Sequence, residues 1–241
     1  GDDNFNIVGS TGVATITGGT GTLDKITIST ADYDATADTV TGIEVIALGS
    51  GLDITITAAQ LAANSLSAVG SAGGTSLLNV SGTSGADTID ISGITFTTAT
   101  AVITGGALAD VITLSAATDS VVIAADTDSI TTAYDSITSY GLTADTISTA
   151  AATATGVVAS DVTASVGVTN GIATGLFTFD KAAASSLTDA IAKVGADVAT
   201  AGDSVVFQYG TAAYFFQDVD GATTTTSDIL IELVGTTATS M

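Results

Sequence analysis

The chain has 241 residues and a mass of 23.3 kDa, and its 45 Thr, 41 Ala and 27 Gly make nearly half of it. It has no Cys, His, Pro, Trp or Arg, and 3 Lys face 23 Asp and 2 Glu for a net charge of −22. A disulfide framework, thiolate metal sites and His-based triads are therefore excluded, nucleic acid is not expected as a partner without cations to neutralise phosphates, and no apolar run approaches the ~18 residues of a membrane span.

No basic region followed by an apolar stretch opens the chain, so no N-terminal signal peptide is expected. The first residues, Gly1-Asp2-Asp3-Asn4-Phe5, read as the second half of a short repeat. The chain is therefore expected to begin inside a repeat of a longer protein. The repeat places an aliphatic residue two positions after an Asp. It recurs as Asp24-Lys25-Ile26, Asp38-Thr39-Val40, Asp87-Thr88-Ile89, Asp110-Val111-Ile112, Asp119-Ser120-Val121, Asp128-Ser129-Ile130, Asp135-Ser136-Ile137 and Asp145-Thr146-Ile147. Gly often precedes, as in Gly85-Ala86-Asp87 and Gly105-Gly106-Ala107-Leu108-Ala109-Asp110.

A period near nine, with Gly and Asp in turns and alternating apolar residues in short strands, reads as a parallel β-solenoid over residues 1–155. Between the repeats, Val40–Leu48 reads as a buried strand pair with Glu44 on an exposed face. Ile54 and Ile56 read as a strand leading into a helical turn at Ala58–Ala63, with Leu61, Leu66 and Val69 packed inward.

The acids suit a hard cation. Ca²⁺ takes carboxylate and carbonyl oxygens and needs neither His nor Cys. Solubility alone does not explain why Asp outnumbers Glu 23 to 2.

The rhythm fades after about Ala150, and residues 156–241 read as a small α+β region. Phe177 and Phe179 suggest a short aromatic strand. Ser185–Val198 reads as a helix with Leu187, Ile191, Val194 and Val198 on one face, Ser185 or Ser186 as cap, and Asp189 and Lys193 placed as the helix dipole prefers. Ser204–Tyr209, Ala213–Gln217 and Asp228–Val234 read as strands, the first two joined by a hairpin turn at Gly210-Thr211. Phe207, Tyr209, Tyr214, Phe215 and Phe216 read as a small core. The loop Asp218-Val219-Asp220-Gly221 is either a calcium loop, completed by Asp228, or a plain acidic turn.

The repeats resemble the calcium-binding nonapeptides of RTX proteins, G-G-x-G-x-D-x-U-x. Gly105–Ile112 matches at both leading Gly, the Asp and the apolar position but has Leu108 where the third Gly belongs. Gly85–Ile89 matches only the second half, and the repeats at Asp119 and Asp128 lack the Gly. The phrases Val40–Leu48, Leu52–Leu61 and Val80–Ile89 are similar to type I-secreted bacterial surface-layer (S-layer) proteins, as is the C-terminal aromatic hairpin with its Asp-rich turn and last strand. The resemblance implies a parallel β-roll with degenerate calcium repeats. It implies Ca²⁺ at Asp3, Asp24, Gly85, Asp87, Gly105, Asp110, Asp119, Asp128 and Asp145 in the repeats; Asp218 and Asp220 are metal candidates on the pattern of their loop alone. It also implies an uncleaved C-terminal export signal read by a type I exporter, a place on the bacterial cell surface, and self-assembly into a lattice, with an upstream region that contacts outer-membrane glycolipid. The implied function is structural, with no catalytic residues. The alternative is the calcium-binding and secretion region of a large RTX adhesin or of an exported enzyme.

Overall fold

The computed structural model describes residues 1–9, 13–141, 144–149, 167–169, 172–174, 176–178, 184–197, 200–222 and 228–235. In chain order the first elements are β1 (Asn4–Ile7), β2 (Thr15–Thr17), β3 (Lys25–Ile28), β4 (Tyr33–Asp34), β5 (Thr39–Thr41), β6 (Val45–Leu48), β7 (Ile54–Thr57), α1 (Ala58–Ala63), β8 (Ala68–Ser71), β9 (Ser76–Thr83), β10 (Thr88–Asp90), β11 (Thr95–Thr97) and β12 (Ala99–Gly106). They are followed by β13 (Val111–Thr113), β14 (Asp119–Ile123), β15 (Asp135–Thr138), β16 (Thr146–Thr149), β17 (Gly167–Thr169), β18 (Ile172–Thr174), β19 (Leu176–Thr178), α2 (Leu187–Asp197), β20 (Ser204–Tyr209), β21 (Ala212–Gln217) and β22 (Ile229–Val234). Neither described helix is long and apolar enough to cross a membrane. The chain divides into two compact units, one of Gly1–Gly106, Thr113–Val122 and Thr143–Ile147, the other of Ala107–Ile112, Ile123–Leu142 and Ser148–Met241. The boundary expected at 155/156 lies outside the described residues.

The fold is mainly β, with a parallel β-solenoid of about six turns. In the first unit, strands from successive coils stack side by side. One sheet has the order β1-β3-β6-β8-β11, another β16-β14-β12-β9-β7-β4, and a third pairs β2 with β5. Pairing is parallel throughout the first sheet and joins residues 20 to 27 apart, as Phe5 with Ile26, Ile26 with Ile46, Ile46 with Val69 and Val69 with Phe96. A coil therefore takes more than two of the nine-residue periods, and several short strands with their corners make each coil.

Alternation decides which side chains enter the solenoid. Ile26, Ile46 and Val69 form an inward row and are at most 2% exposed. Ile56, Val80, Ile103 and Val121 form another in the second sheet and are at most 3% exposed. Each buried aliphatic side chain contributes about 1.5–3 kcal/mol relative to leaving it in water. The Val40–Leu48 segment is not a strand pair, because β5 and β6 run in different sheets on either side of a corner.

α1 is capped at both levels. Thr57 accepts from the Gln60 N–H at 3.1 Å, and the Gln60 side chain accepts from the Thr57 N–H at 2.7 Å. Gln60 Nε2 then donates to the Ala35 and Asp38 carbonyls at 2.7 and 2.9 Å, which ties the helix to an adjacent coil. Leu61 and Val69 are buried as expected, whereas Leu66 is only half-buried.

In the second unit the sheet order is β13-β15-β22-β21-β20-β19. β20, β21 and β22 form an antiparallel meander, while β15 lies parallel to β22 and β19 parallel to β20. β20 has the expected bounds, and Gly210 makes the hairpin turn at φ 66°. β19 covers Phe177; Phe179 and Val198 lie outside the described residues. α2 sets Ile191 and Val194 on a core of Val205, Phe207, Tyr214, Phe216 and Leu230, with Leu187 packed against it. Phe207 stacks on Tyr214 at 5.4 Å, and Tyr134 meets Tyr214 edge-on at 6.1 Å. Ser186 Oγ accepts from the Asp189 N–H at 3.1 Å, and Asp189 accepts from the Ser185 N–H at 2.8 Å and pairs with Lys193 at 3.2 Å.

Candidate metal centre

The repeat acids stand where strands begin. Asp3, Asp24, Glu44, Asp53, Asp87, Asp110 and Asp145 each immediately precede a strand, and Asp119 and Asp135 are the first residues of theirs. After Asp24, Glu44, Asp87 and Asp110 the second strand residue points inward, which explains the aliphatic position two after the acid: Ile26, Ile46, Ile89 and Ile112 are at most 2% exposed, whereas after Asp53 Ile54 and Ile56 point inward.

A coil corner leaves N–H groups outside the sheet ladder, and each needs an acceptor. The carboxylates supply it between coils. Asp24 Oδ1 accepts from the Asp3 N–H at 2.6 Å, and Glu44 Oε2 accepts from the Asp24 N–H at 2.9 Å. Asp32 accepts from the Asp53 N–H at 2.9 Å, Asp53 from the Leu77 N–H at 2.8 Å, and Asp145 from the Asp119 N–H at 2.9 Å. In the second unit Asp135 Oδ1 accepts from the Asp110 N–H at 2.9 Å. Coil spacing is about 4.8 Å, and a short side chain spans it without much rotamer loss. Glu44, expected on an exposed face, is half-buried and has this bridging role.

Other acids brace their own turns. Asp87 Oδ2 accepts from Thr83 N and Oγ1 at 2.6 and 2.8 Å, and Asp119 Oδ2 accepts from Ser115 N and Oγ at 2.9 and 2.8 Å. Asp128 Oδ2 accepts from the Ala125 N–H at 2.8 Å. Gly85 lies inside the Thr83–Asp87 turn and donates to Thr83 Oγ1 at 3.1 Å. Gly105 lies where coils come closest: a Cβ on Gly82 would run into its carbonyl. Gly106 has φ 97°, and a Cβ there would run into the Thr83 carbonyl.

Burial shifts two of these acids. Asp119 occupies an inward row at 1% exposure, and desolvation raises its pKa. Asp135 is fully buried, and desolvation, reinforced by the charges of Asp110 and Asp128, pushes it up to about 7. Its N–H donates to Ser129 Oγ at 2.8 Å, which donates to the Leu230 carbonyl at 2.6 Å.

Asp218, Asp220 and Asp228 differ from all of these. They form the one group of three or more acids among the described residues whose ligand atoms lie within 4.8 Å of one another. Asp218 follows β21, Asp228 precedes β22, and Asp220 lies in the loop. Asp218 and Asp228 are fully buried, and Asp220 is exposed. Asp218 Oδ1 accepts from the N–H groups of Asp220 and Gly221 at 3.0 and 2.6 Å, Asp228 Oδ1 from Val219 at 3.2 Å, and Asp220 Oδ1 from Ala222 at 2.8 Å. Asp218 Oδ2 is buried and has no hydrogen-bond partner. The Asp218 main chain also bonds the turn before β20, accepting from Gly202 at 2.7 Å and donating to Asp203 at 3.0 Å. The loop and Asp228 were both legible in the sequence; the partnerless buried oxygen was not.

No protein-family model matches the chain, and no curated protein matches it.

Proposed function

We propose that the chain is a structural, calcium-stabilised module of a secreted bacterial cell-surface protein, of the S-layer kind, that assembles with copies of itself. The observation that carries this reading is the outward face of the β1-β3-β6-β8-β11 sheet. Its two rows are Asn4, Lys25, Val45, Ala68, Thr95 and Asn6, Thr27, Ala47, Gly70, Thr97. Not one of these ten residues is acidic in a chain with 25 acids. An open groove of about 520 Å³ runs over Thr27, Val45, Ala47, Ala68 and Gly70.

Copies that each carry −22 repel wherever their acids meet. They approach most easily over this acid-free face, and calcium at the acids elsewhere lowers the remaining repulsion. The solenoid supplies a repetitive scaffold, and the coil-to-coil carboxylate bonds hold its corners. Export by a type I system, with folding in a calcium-rich exterior, belongs to the same proposal and accords with a chain that lacks Cys.

Calcium titration of chelator-treated protein, followed by light scattering and electron microscopy, tests the function. Ordered sheets that form with calcium and dissolve in chelator are expected. Monomers at every calcium concentration would overturn it.

A further inference from the structure

We propose that Asp218, Asp220 and Asp228 bind one hard divalent cation of the calcium class, and that this ion clasps the C-terminal sheet independently of any ion in the solenoid. The inference rests on the calcium reading above for its choice of cation and goes beyond it in assigning the site and its effect.

The geometry fits such an ion. Calcium holds oxygens at 2.3–2.6 Å, so oxygens sharing one ion lie no more than about 5 Å apart, and one oxygen from each of the three carboxylates lies within 4.8 Å of the others. The donors are all oxygens, as a hard cation prefers. The partnerless Oδ2 of Asp218 points to a ligand independently of that span. A buried acceptor without a donor is costly, and more so when ionised. Among the described residues no cationic side chain relieves it: the one ion pair there is Lys193 with Asp189 on α2. A divalent cation at Oδ2 satisfies the oxygen and sets two positive charges against the three carboxylates. Exposed Asp220 gives the ion a way in, and water can fill the remaining positions of a six- to eight-coordinate shell.

The placement defines the effect. An ion there joins the end of β21 to the start of β22, and the Asp218 main chain carries the restraint to the turn before β20. All three strands of the meander are held at one end. Asp24 Oδ2 and Asp119 Oδ1 in the solenoid are also buried without a hydrogen-bond partner, but among the described residues neither belongs to a group of three acids like this one. The solenoid carboxylates spend an oxygen on an N–H of a neighbouring coil or of their own turn. They have a role without metal.

The two regions report separately. Of the five Tyr residues four belong to the second unit and only Tyr33 to the first, so near-ultraviolet circular dichroism of the chain and of Tyr33→Phe follows the second unit. The test uses the whole chain, stripped with chelator, then titrated with CaCl₂ by calorimetry and near-ultraviolet dichroism. The expected result is one site whose occupancy sharpens the aromatic signal. At 100 times its dissociation constant, calcium should raise the folded-to-unfolded ratio of this unit about 100-fold. Asp218→Asn and Asp228→Asn should weaken that site at least tenfold. Because those residues are buried, Asp220→Asn serves as the exposed variant that leaves packing intact, and it too should weaken the site about tenfold. Calcium binding with unchanged affinity in all three variants would overturn the clasp while leaving calcium elsewhere in the chain. No calcium binding at all would overturn both the clasp and the calcium reading.

Discussion

Replacing Asp135 with Asn should stabilise the protein in alkaline solution. Asp135 is fully buried and its pKa is pushed up to about 7. A carboxyl with a raised folded value binds its proton more readily folded than unfolded. Its ionised form therefore costs stability above pH 7, and the cost falls as pH drops toward the unfolded value near 3.9. About three units at ~1.4 kcal/mol each set a ceiling of about 4 kcal/mol, of which about 2.7 kcal/mol is recovered between pH 8 and pH 5. Asp135→Asn keeps the Oδ1 acceptor for the Asp110 N–H and removes the charge. Allowing about 1 kcal/mol for the buried amide hydrogens it introduces, the variant should gain about 3 kcal/mol at pH 8. It should also lose most of the parent's stability change between pH 5 and pH 8. Urea unfolding in chelator at fixed ionic strength, followed in the near-ultraviolet, measures both. A variant less stable than the parent at pH 8 would refute the reasoning, because it would mean that the Asp135 charge is compensated in the folded state.

Three further substitutions test other parts of the structure. Gly106→Ala combines φ 97° with a clash against the Thr83 carbonyl, so it should cost about 2–3 kcal/mol and lower Tm by roughly 4–10 °C in calorimetry. Ser115→Ala removes a 2.8 Å hydroxyl bond to the buried Asp119 carboxylate, whose pKa burial raises, and should cost about 1–2 kcal/mol in urea unfolding at pH 7. Phe216→Ala empties a fully buried position between α2 and the meander and should cost about 3–5 kcal/mol, visible as an early loss of the aromatic signal.

Much of the fold was legible, for reasons that differ along the chain. Ser204–Tyr209 shows the strand composition and turn chemistry that a hairpin needs, and its bounds match β20. α2 declares itself through the spacing of Leu187, Ile191 and Val194. The solenoid follows from short strands separated by Gly and Asp, but its coil length does not. The nine-residue rhythm marks strand starts, and a coil holds several, so a local count cannot show that Phe5 pairs with Ile26.

The acids show what composition hides. A row of Asp residues before strands suits calcium and equally suits a chain that must cap its corner N–H groups. Only coordinates reveal that Asp24 accepts from Asp3 and Asp119 from Ser115. Glu44 illustrates the same limit: a lone acid in an apolar phrase looks exposed until the neighbouring coil puts the Asp24 N–H beside it. The Asp218 loop was legible because its acids are close in sequence, and the burial of Asp228 beside it was not.

Calcium-driven assembly of the parent chain and of Ala47→Glu, compared by analytical ultracentrifugation, tests the central claim most directly. Ala47 lies in the acid-free face, half-exposed, so the substitution should leave folding within about 0.5 kcal/mol of the parent. The parent should assemble with calcium, and the variant should bind calcium and stay monomeric. Assembly of the variant equal to that of the parent, or no assembly of either, would contradict the proposed function.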